Sequence, residues 1–190
     1  MWSLSLAVLS VAAVACGGRS PGAAHPPMVV GGPPRASGPA VVPPPPERGL
    51  SPREVAAQSE LREAQAFCVA ELNRYRVVAG PAPLRRSEAL ERCALAAAVQ
   101  DGKNQVAHQH FQETSGCGVA MAENELPWWG RGHPDGTVRG VIALGVQQMW
   151  EEGPGGGHFD NLTSPDYTEV GCGIYWDRAS DEVTVVWDFR

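Results

Sequence analysis

The sequence is poor in basic side chains: 15 Lys and Arg residues stand against 21 Asp and Glu residues, and the formal net charge is −6. A nucleic-acid-binding protein needs a basic face, so this balance argues against a nucleic acid as partner. The chain also lacks internal repeats, a serine or cysteine nucleophile motif, and a phosphate-binding glycine motif. The glycine-rich run at 153–157 has no strand-to-helix unit with a phosphate-binding Lys beside it.

A hydrophobic run long enough to span a bilayer is missing at the N-terminus as well. Residues 2–15 are apolar apart from three serines, but this stretch is too short for a spanning helix. It ends in Ala-Val-Ala-Cys16 followed by two glycines, which resembles a bacterial lipobox. Residues 1–16 are therefore predicted to be a signal peptide, with Cys16 as the lipidated residue that anchors an exported protein in the cell envelope. An ordinary cleaved signal peptide is the alternative.

The segment 17–50 has almost no charge and few large side chains, and it carries much of the chain's Pro and Gly. Such a composition cannot bury enough apolar surface to offset the entropy of ordering it. We expect a disordered tether here and one globular domain over 51–190.

Within 51–190, helical periodicity alternates with extended segments. Apolar residues at spacings of three and four predict helices from Ser51-Pro52 to Gly80, from Ser87 to Gly102, and from about Thr137 to Gly153. Alternating or β-rich stretches predict strands at 119–124, 167–176 and 183–189, with a hairpin joining the last two. This order of elements predicts an α+β domain with helices packed on a mostly antiparallel sheet.

Beyond Cys16, the chain has four cysteines: Cys68, Cys93, Cys117 and Cys172. An even number in an exported chain predicts two disulfides, and the sequence alone allows three pairings. Adjacent strands bring Cα atoms within the roughly 4–7 Å that a disulfide needs, and neighbouring helices can do the same. We therefore expect Cys117–Cys172 between strands and Cys68–Cys93 between helices.

Four segments, in order, resemble the CAP (or SCP) superfamily of cysteine-rich secretory, antigen 5 and pathogenesis-related proteins. The resemblance covers about residues 60–190 and implies a three-layer α-β-α sandwich, with helices on both sides of a small, mostly antiparallel sheet. The matching segments are residues 72–94 with their Asn-Arg and Pro-Leu pairs, Ala122-Glu123-Asn124, Met149-Trp150-Glu151-Glu152, and Gly157-His158-Phe159 followed by 167–173.

The resemblance also implies a surface cleft into which two His and two Glu side chains converge. His158 and Glu123 match the family motifs directly. Glu152 is preferred to Glu151 as the second carboxylate, because it lies three residues after Met149 and so shares the helix face that looks at the sheet. The remaining histidine is His108 or His110. His108 is preferred because it follows a small residue, as in the family.

Two imidazoles and two carboxylates could hold zinc or another divalent cation, or act as a general acid–base pair. They could also simply fix the walls of a binding cleft. We expect a monomeric, non-enzymatic module, tethered to the membrane, that binds a lipid, glycan or protein. A metal-dependent hydrolase using the same four residues is the alternative, and a plain envelope spacer would have no organised cleft.

Overall fold

The computed structural model describes residues 51–132 and 135–190. The predicted signal peptide, lipidation site and tether fall within residues 1–50 and so lie outside the described residues. No helix in the described ranges is both long and apolar enough to cross a membrane.

The longest helix, α1 (Pro52–Ala79), begins and ends at residues whose chemistry favours those positions. Ser51 accepts a hydrogen bond from the Glu54 main chain, and the Glu54 carboxylate accepts one from the Ser51 main chain at 2.7 Å. This reciprocal capping box satisfies main-chain donors at the first turn. The helix stops at Gly80, whose φ of 108° is in the left-handed region that favours glycine.

The remaining elements follow in chain order. They are β1 (Arg85–Arg86), α2 (Glu88–Asn104), α3 (Gln109–Thr114), a 3₁₀ turn (Gly116–Gly118), β2 (Ala122–Gly130), α4 (Val138–Glu151), α5 (Gly157–Thr163), β3 (Glu169–Asp177) and β4 (Glu182–Phe189). The strands form one sheet in the order β1-β3-β4-β2, with β1 parallel to β3 and the other pairs antiparallel. Helices α1, α4 and α5 pack together on one side, and α2 packs on β3 and β4 with α3 beside it.

Alternation along β4 shows that these two helical layers lie on opposite faces of the sheet. Val185 and Trp187 belong to the main core, with side chains of α1 and α4. Val186, between them, packs instead against the alanines of α2. Successive side chains on a strand point to opposite faces, so the sheet lies between the two helical layers. The predicted α+β fold, with helices on both sides of a small and mostly antiparallel sheet, is confirmed.

Two glycines of β3 allow α2 to approach the sheet closely. A Cβ atom added at Gly171 would lie 2.1 Å from the Leu90 carbonyl carbon, and one at Gly173 would lie 2.1 Å from that of Ala94. These distances are far inside van der Waals contact. Helix α2 therefore packs its main chain almost directly on the strand.

The predicted disulfide pairing is wrong. The structure has Cys68–Cys172, with Cα atoms 6.4 Å apart, and Cys93–Cys117, with Cα atoms 6.0 Å apart, in place of Cys117–Cys172 and Cys68–Cys93. The reason is the layer to which each cysteine belongs. Cys172 points from β3 into the core shared with α1, where Cys68 lies. Cys93 is on α2, across the sheet, and of the cysteines in the described ranges it is Cys117, in the 3₁₀ turn after α3, that reaches it.

Candidate functional site

Strand β2 lies at one edge of the sheet and pairs with β4. Alternation along it directs consecutive side chains to opposite layers. The amide of Asn124 reaches the α4–α5 layer, where it donates to the main-chain oxygen of His158 at 3.0 Å. Glu123 and Glu125 are directed to the other face, where both contact His108. The strand thus carries polar groups into both layers.

His108 is held by two carboxylates at once. Its Nδ1 lies 2.8 Å from Glu123 Oε1, and its main-chain N–H donates to Glu125 Oε2 at 2.6 Å. The residue precedes α3 with φ at 60°, a left-handed conformation that His adopts more readily than most residues. The hydrogen bond to Glu123 raises the pKa of His108, and burial only partly opposes this effect. Glu123 is 2% exposed and His108 is 37% exposed, so the imidazole forms the outer part of the pair.

The second pair joins the end of α4 to the start of α5. His158 Nδ1 lies 2.5 Å from Glu152 Oε1, and the His158 main-chain N–H donates to Glu152 Oε2 at 3.1 Å. Each side chain is 35% exposed. Burial tends to raise the pKa of Glu152, but the hydrogen bonds and charge of His158 outweigh it, and the net shift is downward.

Two asparagines connect the pairs. Asn161 of α5 donates to the main-chain oxygen of Glu123 at 3.4 Å and to the side-chain oxygen of Asn124 at 2.9 Å. Asn124 in turn donates to the main-chain oxygen of His158. Helix α5, which carries His158, is therefore hydrogen-bonded to Glu123 and Asn124 of β2. We call His108, Glu123, Glu152 and His158 together the two-pair site.

The alternates His110 and Glu151 occupy other surroundings. His110 Nδ1 lies 2.9 Å from the Gln100 amide oxygen, and its Nε2 lies 3.4 Å from the sulfur of Cys117. Glu151 accepts a hydrogen bond from Gln147 on the outer face of α4. The structure thus places His108 and Glu152, not these alternates, in the His–Glu pairs.

A cluster of buried carboxyl groups, which no local sequence pattern predicts, lies behind His108. Asp188 of β4 is the ladder partner of Glu123, and Asp101 of α2 is fully buried on the same side. Burial, reinforced by the Glu123 carboxylate, raises the pKa of Asp188 to about 8. Burial also raises the pKa of Glu125 to about 7 and that of Asp101 above its usual range. The available signal was the acidic pair Glu123 and Glu125 at strand spacing.

The predicted metal ligands do not meet as one set. Among residues 51–132 and 135–190, the donor atoms of His108, Glu123 and Glu125 lie within 4.8 Å of one another, but no such group joins them to Glu152 or His158. The donor atoms of four ligands that each lie about 2 Å from one zinc ion must be less than 4.8 Å from one another. Without rearrangement, the two-pair site therefore does not fit a single zinc ion. Cys93, His110 and Cys117 also lie close together, but the two sulfurs are in a disulfide.

Two surface cavities, of about 540 and 420 Å³, lie elsewhere. They share Glu60 and Arg131 in their linings and include none of the four residues of the two-pair site. Arg131 is already paired with Asp181 at 2.9 Å and lies over the ring of Trp176. Arg131 is thus engaged by groups of the domain itself, and we take the two-pair site, with its two His–Glu pairs, as the candidate functional site.

Comparison with known proteins gives the following matches. The family model described as the cysteine-rich secretory protein family (CAP) matches residues 69–189. Similar solved structures include Na-ASP-1, with 13% identity and a TM-score of 0.48 over 66% of this chain and 38% of that one. A cysteine-rich secretory protein from Staphylococcus aureus has 15% identity and a TM-score of 0.46, over 68% and 39% of the two chains. An outer surface protein from Borrelia burgdorferi has 16% identity and a TM-score of 0.47, over 67% and 92%.

The matched region spans less than half of the first two of these structures. Among curated protein sequences, none matches this chain.

Proposed function

The chain belongs to the cysteine-rich secretory protein (CAP) family, and from this premise we propose that it is an exported, non-enzymatic binding module. In this proposal a lipid on Cys16 anchors it in the cell envelope. The two-pair site then holds a lipid or a glycan without turning it over.

The observation that carries the proposal is the fixed presentation of two half-exposed imidazoles. In each pair a carboxylate occupies Nδ1, at 2.8 Å for His108 and 2.5 Å for His158. A neutral imidazole that donates from Nδ1 keeps Nε2 as an acceptor, and a protonated one donates from both nitrogens. Each ring therefore offers Nε2 to a hydroxyl or phosphate group. Because the rings are already oriented, little side-chain entropy is lost on binding.

Three aromatic side chains in contact, Tyr75, Trp150 and Phe159, lie close in sequence or space to the Glu152–His158 pair. The ring of Trp150 lies 5.2 Å from that of Phe159 and 5.6 Å from that of Tyr75, measured between centroids. Trp150 and Phe159 are sequence neighbours of the pair, and all three rings are only partly buried. Aromatic faces beside polar groups suit a ligand with an apolar body and a polar end. This favours a lipid or a glycan over a protein as the ligand.

The alternative, a metal-dependent hydrolase, has weaker support. A hydrolase needs its groups to converge on one reacting atom, and in the described ranges the two pairs do not close into one ligand set. The four cysteines of the domain are all in disulfides, so none of them is a thiolate nucleophile. Polar groups that are ordered but do not converge on one point favour binding over turnover.

The proposal can be tested with full-length protein carrying Cys16→Ser, so that no lipid at that residue contributes. Binding is measured to vesicles of phosphatidylglycerol and phosphatidylethanolamine, and separately to soluble muropeptides. We expect binding to one of these probes. His158→Ala should weaken it about tenfold, the cost of one hydrogen bond to a partly charged group.

His110→Ala is the matched control, because His110 lies outside the two-pair site and should leave the affinity unchanged. Equal binding by the His158 variant and the parent would contradict the proposal. Release of fatty acids or of new reducing ends from either probe would favour the hydrolase instead.

A further inference from the structure

We infer that the Cys93–Cys117 disulfide is a reversible redox site, which a dithiol reductant opens while the other disulfide of the domain stays closed. Opening it loosens the segment 105–121, which lies between α2 and β2 and carries His108. The effect on ligand affinity rests on the function proposed above. The reduction itself and the loosening of the segment do not depend on that function.

The two disulfides differ in their access to solvent. Cys68 and Cys172 are both completely buried in the main core. Cys93 is also buried, on α2, but Cys117 is exposed in the 3₁₀ turn. Thiol–disulfide exchange begins when a thiolate reaches a sulfur atom, and exposed disulfides are the ones that exchange readily. A reductant can therefore attack the folded protein at Cys117, whereas the core disulfide is out of its reach.

The turn that carries Cys117 has an unfavourable backbone conformation. All four residues from Ser115 to Gly118 have left-handed φ angles, of 53°, 61°, 53° and 65°. Glycine adopts such angles freely, but Ser115 and Cys117 each have a Cβ atom that is crowded there. Residues in this conformation persist only where the surrounding structure holds them. The disulfide at Cys117 supplies such a restraint.

The disulfide is also the covalent link between this turn and α2. Among the described residues no hydrogen bond joins 115–118 to α2, and those of the turn run to α3, within the turn or to the residues after it. Helix α3 has its own polar contacts with α2. The main-chain N–H of His110 donates to Asp101 at 2.9 Å, and Gln100 donates to Glu113 at 2.7 Å. Reduction therefore frees the turn first and leaves α3 held by polar contacts alone.

The chemistry of the exchange is balanced by one dithiol. A thiolate of the dithiol attacks the Cys117 sulfur, and the Cys93 sulfur leaves. The second thiol of the dithiol then displaces the Cys117 sulfur. The dithiol becomes a disulfide, its two protons end on the two cysteines, and two electrons pass to the protein. His110 Nε2, 3.4 Å from the Cys117 sulfur, is a polar neighbour that can hydrogen-bond the new thiol.

The freed turn is connected to the two-pair site through α3. His108 precedes this helix with φ at 60°, and its ring and main chain contact Glu123 and Glu125. The two glutamates stay in place, because β2 is paired with β4. The segment that carries His108 loses its covalent anchor on α2. We therefore expect a less fixed His108 and weaker protection of its main-chain N–H against exchange.

The experiment uses the full chain carrying Cys16→Ser, so that only the four cysteines of the domain are counted. The protein is treated with dithiothreitol without denaturant, and the free thiols are alkylated and located by mass spectrometry. We expect Cys93 and Cys117 to be alkylated at least about tenfold faster than Cys68 and Cys172, and oxidised dithiothreitol should restore the disulfide. Equal rates for the two disulfides, or no reduction until the protein unfolds, would overturn the inference.

Hydrogen–deuterium exchange measures how far the opening spreads. The double variant Cys93→Ser with Cys117→Ser mimics the reduced state without a reductant. In the reduced protein and in this variant, exchange should rise at least about tenfold over 105–121 and stay within about twofold over α1 and β4, which supply the main core. Unchanged exchange over 105–121, or an equal rise in the core, would contradict a local redox site.

Ligand affinity is compared in the oxidised and reduced protein with the vesicles and muropeptides used above. The probe that the oxidised protein binds should be bound at least about fivefold more weakly after reduction, and the affinity should recover on reoxidation. Equal affinity of the two forms would overturn the link to the two-pair site. If the oxidised protein binds neither probe, the proposed function fails, while alkylation and hydrogen exchange still decide the redox inference.

Discussion

Asp188→Asn should stabilise the protein at alkaline pH when chelator keeps divalent cations away. The wild-type carboxyl group is fully buried and has no hydrogen-bond donor among the described residues, and its pKa in the folded state is about 8. An Asp in the unfolded chain titrates near 4. Between these values the folded state holds a proton that the unfolded state has lost, so this group makes stability fall as pH rises from about 4 to about 8. Asn has no such proton and can donate to Glu123.

The size of the effect follows from the pKa difference. A shift of about 4 pH units corresponds to about 5 kcal/mol at most, at 1.36 kcal/mol per unit. Relaxation around the group and its coupling to Glu123 reduce this, so we expect Asp188→Asn to be more stable than wild type by about 2 kcal/mol at pH 8. At pH 4.5 the two should differ by less than about 1 kcal/mol. Urea unfolding with EDTA at both pH values measures this difference. A variant less stable than wild type at pH 8 would refute the reasoning.

Three further predictions concern the packing of the domain and its attachment to the membrane. Arg76→Met should lower the free energy of unfolding by about 3–5 kcal/mol in urea titrations, because the buried guanidinium donates to three main-chain oxygens, at 2.6, 3.0 and 2.9 Å. A loss below about 1 kcal/mol would contradict this role. Gly173→Ala should lower the unfolding temperature, since the added Cβ would lie 2.1 Å from the Ala94 carbonyl carbon, whereas Gly132→Ala, with open space around it, is the control. Cys16→Ser should move the protein from the membrane fraction to the soluble fraction of cells, and continued membrane retention would contradict lipidation at that residue.

Local sequence patterns are sufficient to predict the long helices and the β3–β4 hairpin. Helix α1 could be predicted because a capping box, a three-and-four spacing and a terminal glycine all act within the element itself. The β3–β4 hairpin was found by its alternation. Helices α3 and α5 were not predicted, because six or seven residues give too few turns for a periodic signal. Strand β2 extends to Gly130, past the predicted end at Asn124, because its pairing shifts register between Leu126 and Trp129 and the simple alternation is lost there.

The disulfides and the buried carboxyl groups behind His108 depend on which layer of the sandwich each element joins, and no local sequence pattern indicates this. Cys93 and Cys68 are both on helices, but the sheet separates them, so adjacency in the chain order was misleading. Asp188 stands in an alternating strand as one polar residue between Trp187 and Phe189. Its place in a cluster of carboxyl groups can be seen only from the β2–β4 register, which sets it opposite Glu123. The His–Glu pairs, in contrast, lie near motifs that can be recognised in sequence.

Whether the two His–Glu pairs bind one ligand can be tested by a titration of the full chain carrying Cys16→Ser, followed by the side-chain ¹⁵N signals of the histidines. Muropeptides are added in one series and a short-chain, soluble phosphatidylglycerol in another. We expect one of these titrants to shift the Nε2 signals of His108 and His158 together, along one binding curve, while the signals of His110 stay unchanged. Signals of His108 and His158 that respond to neither titrant, or a response confined to His110, would contradict the claim that the two pairs form one binding site.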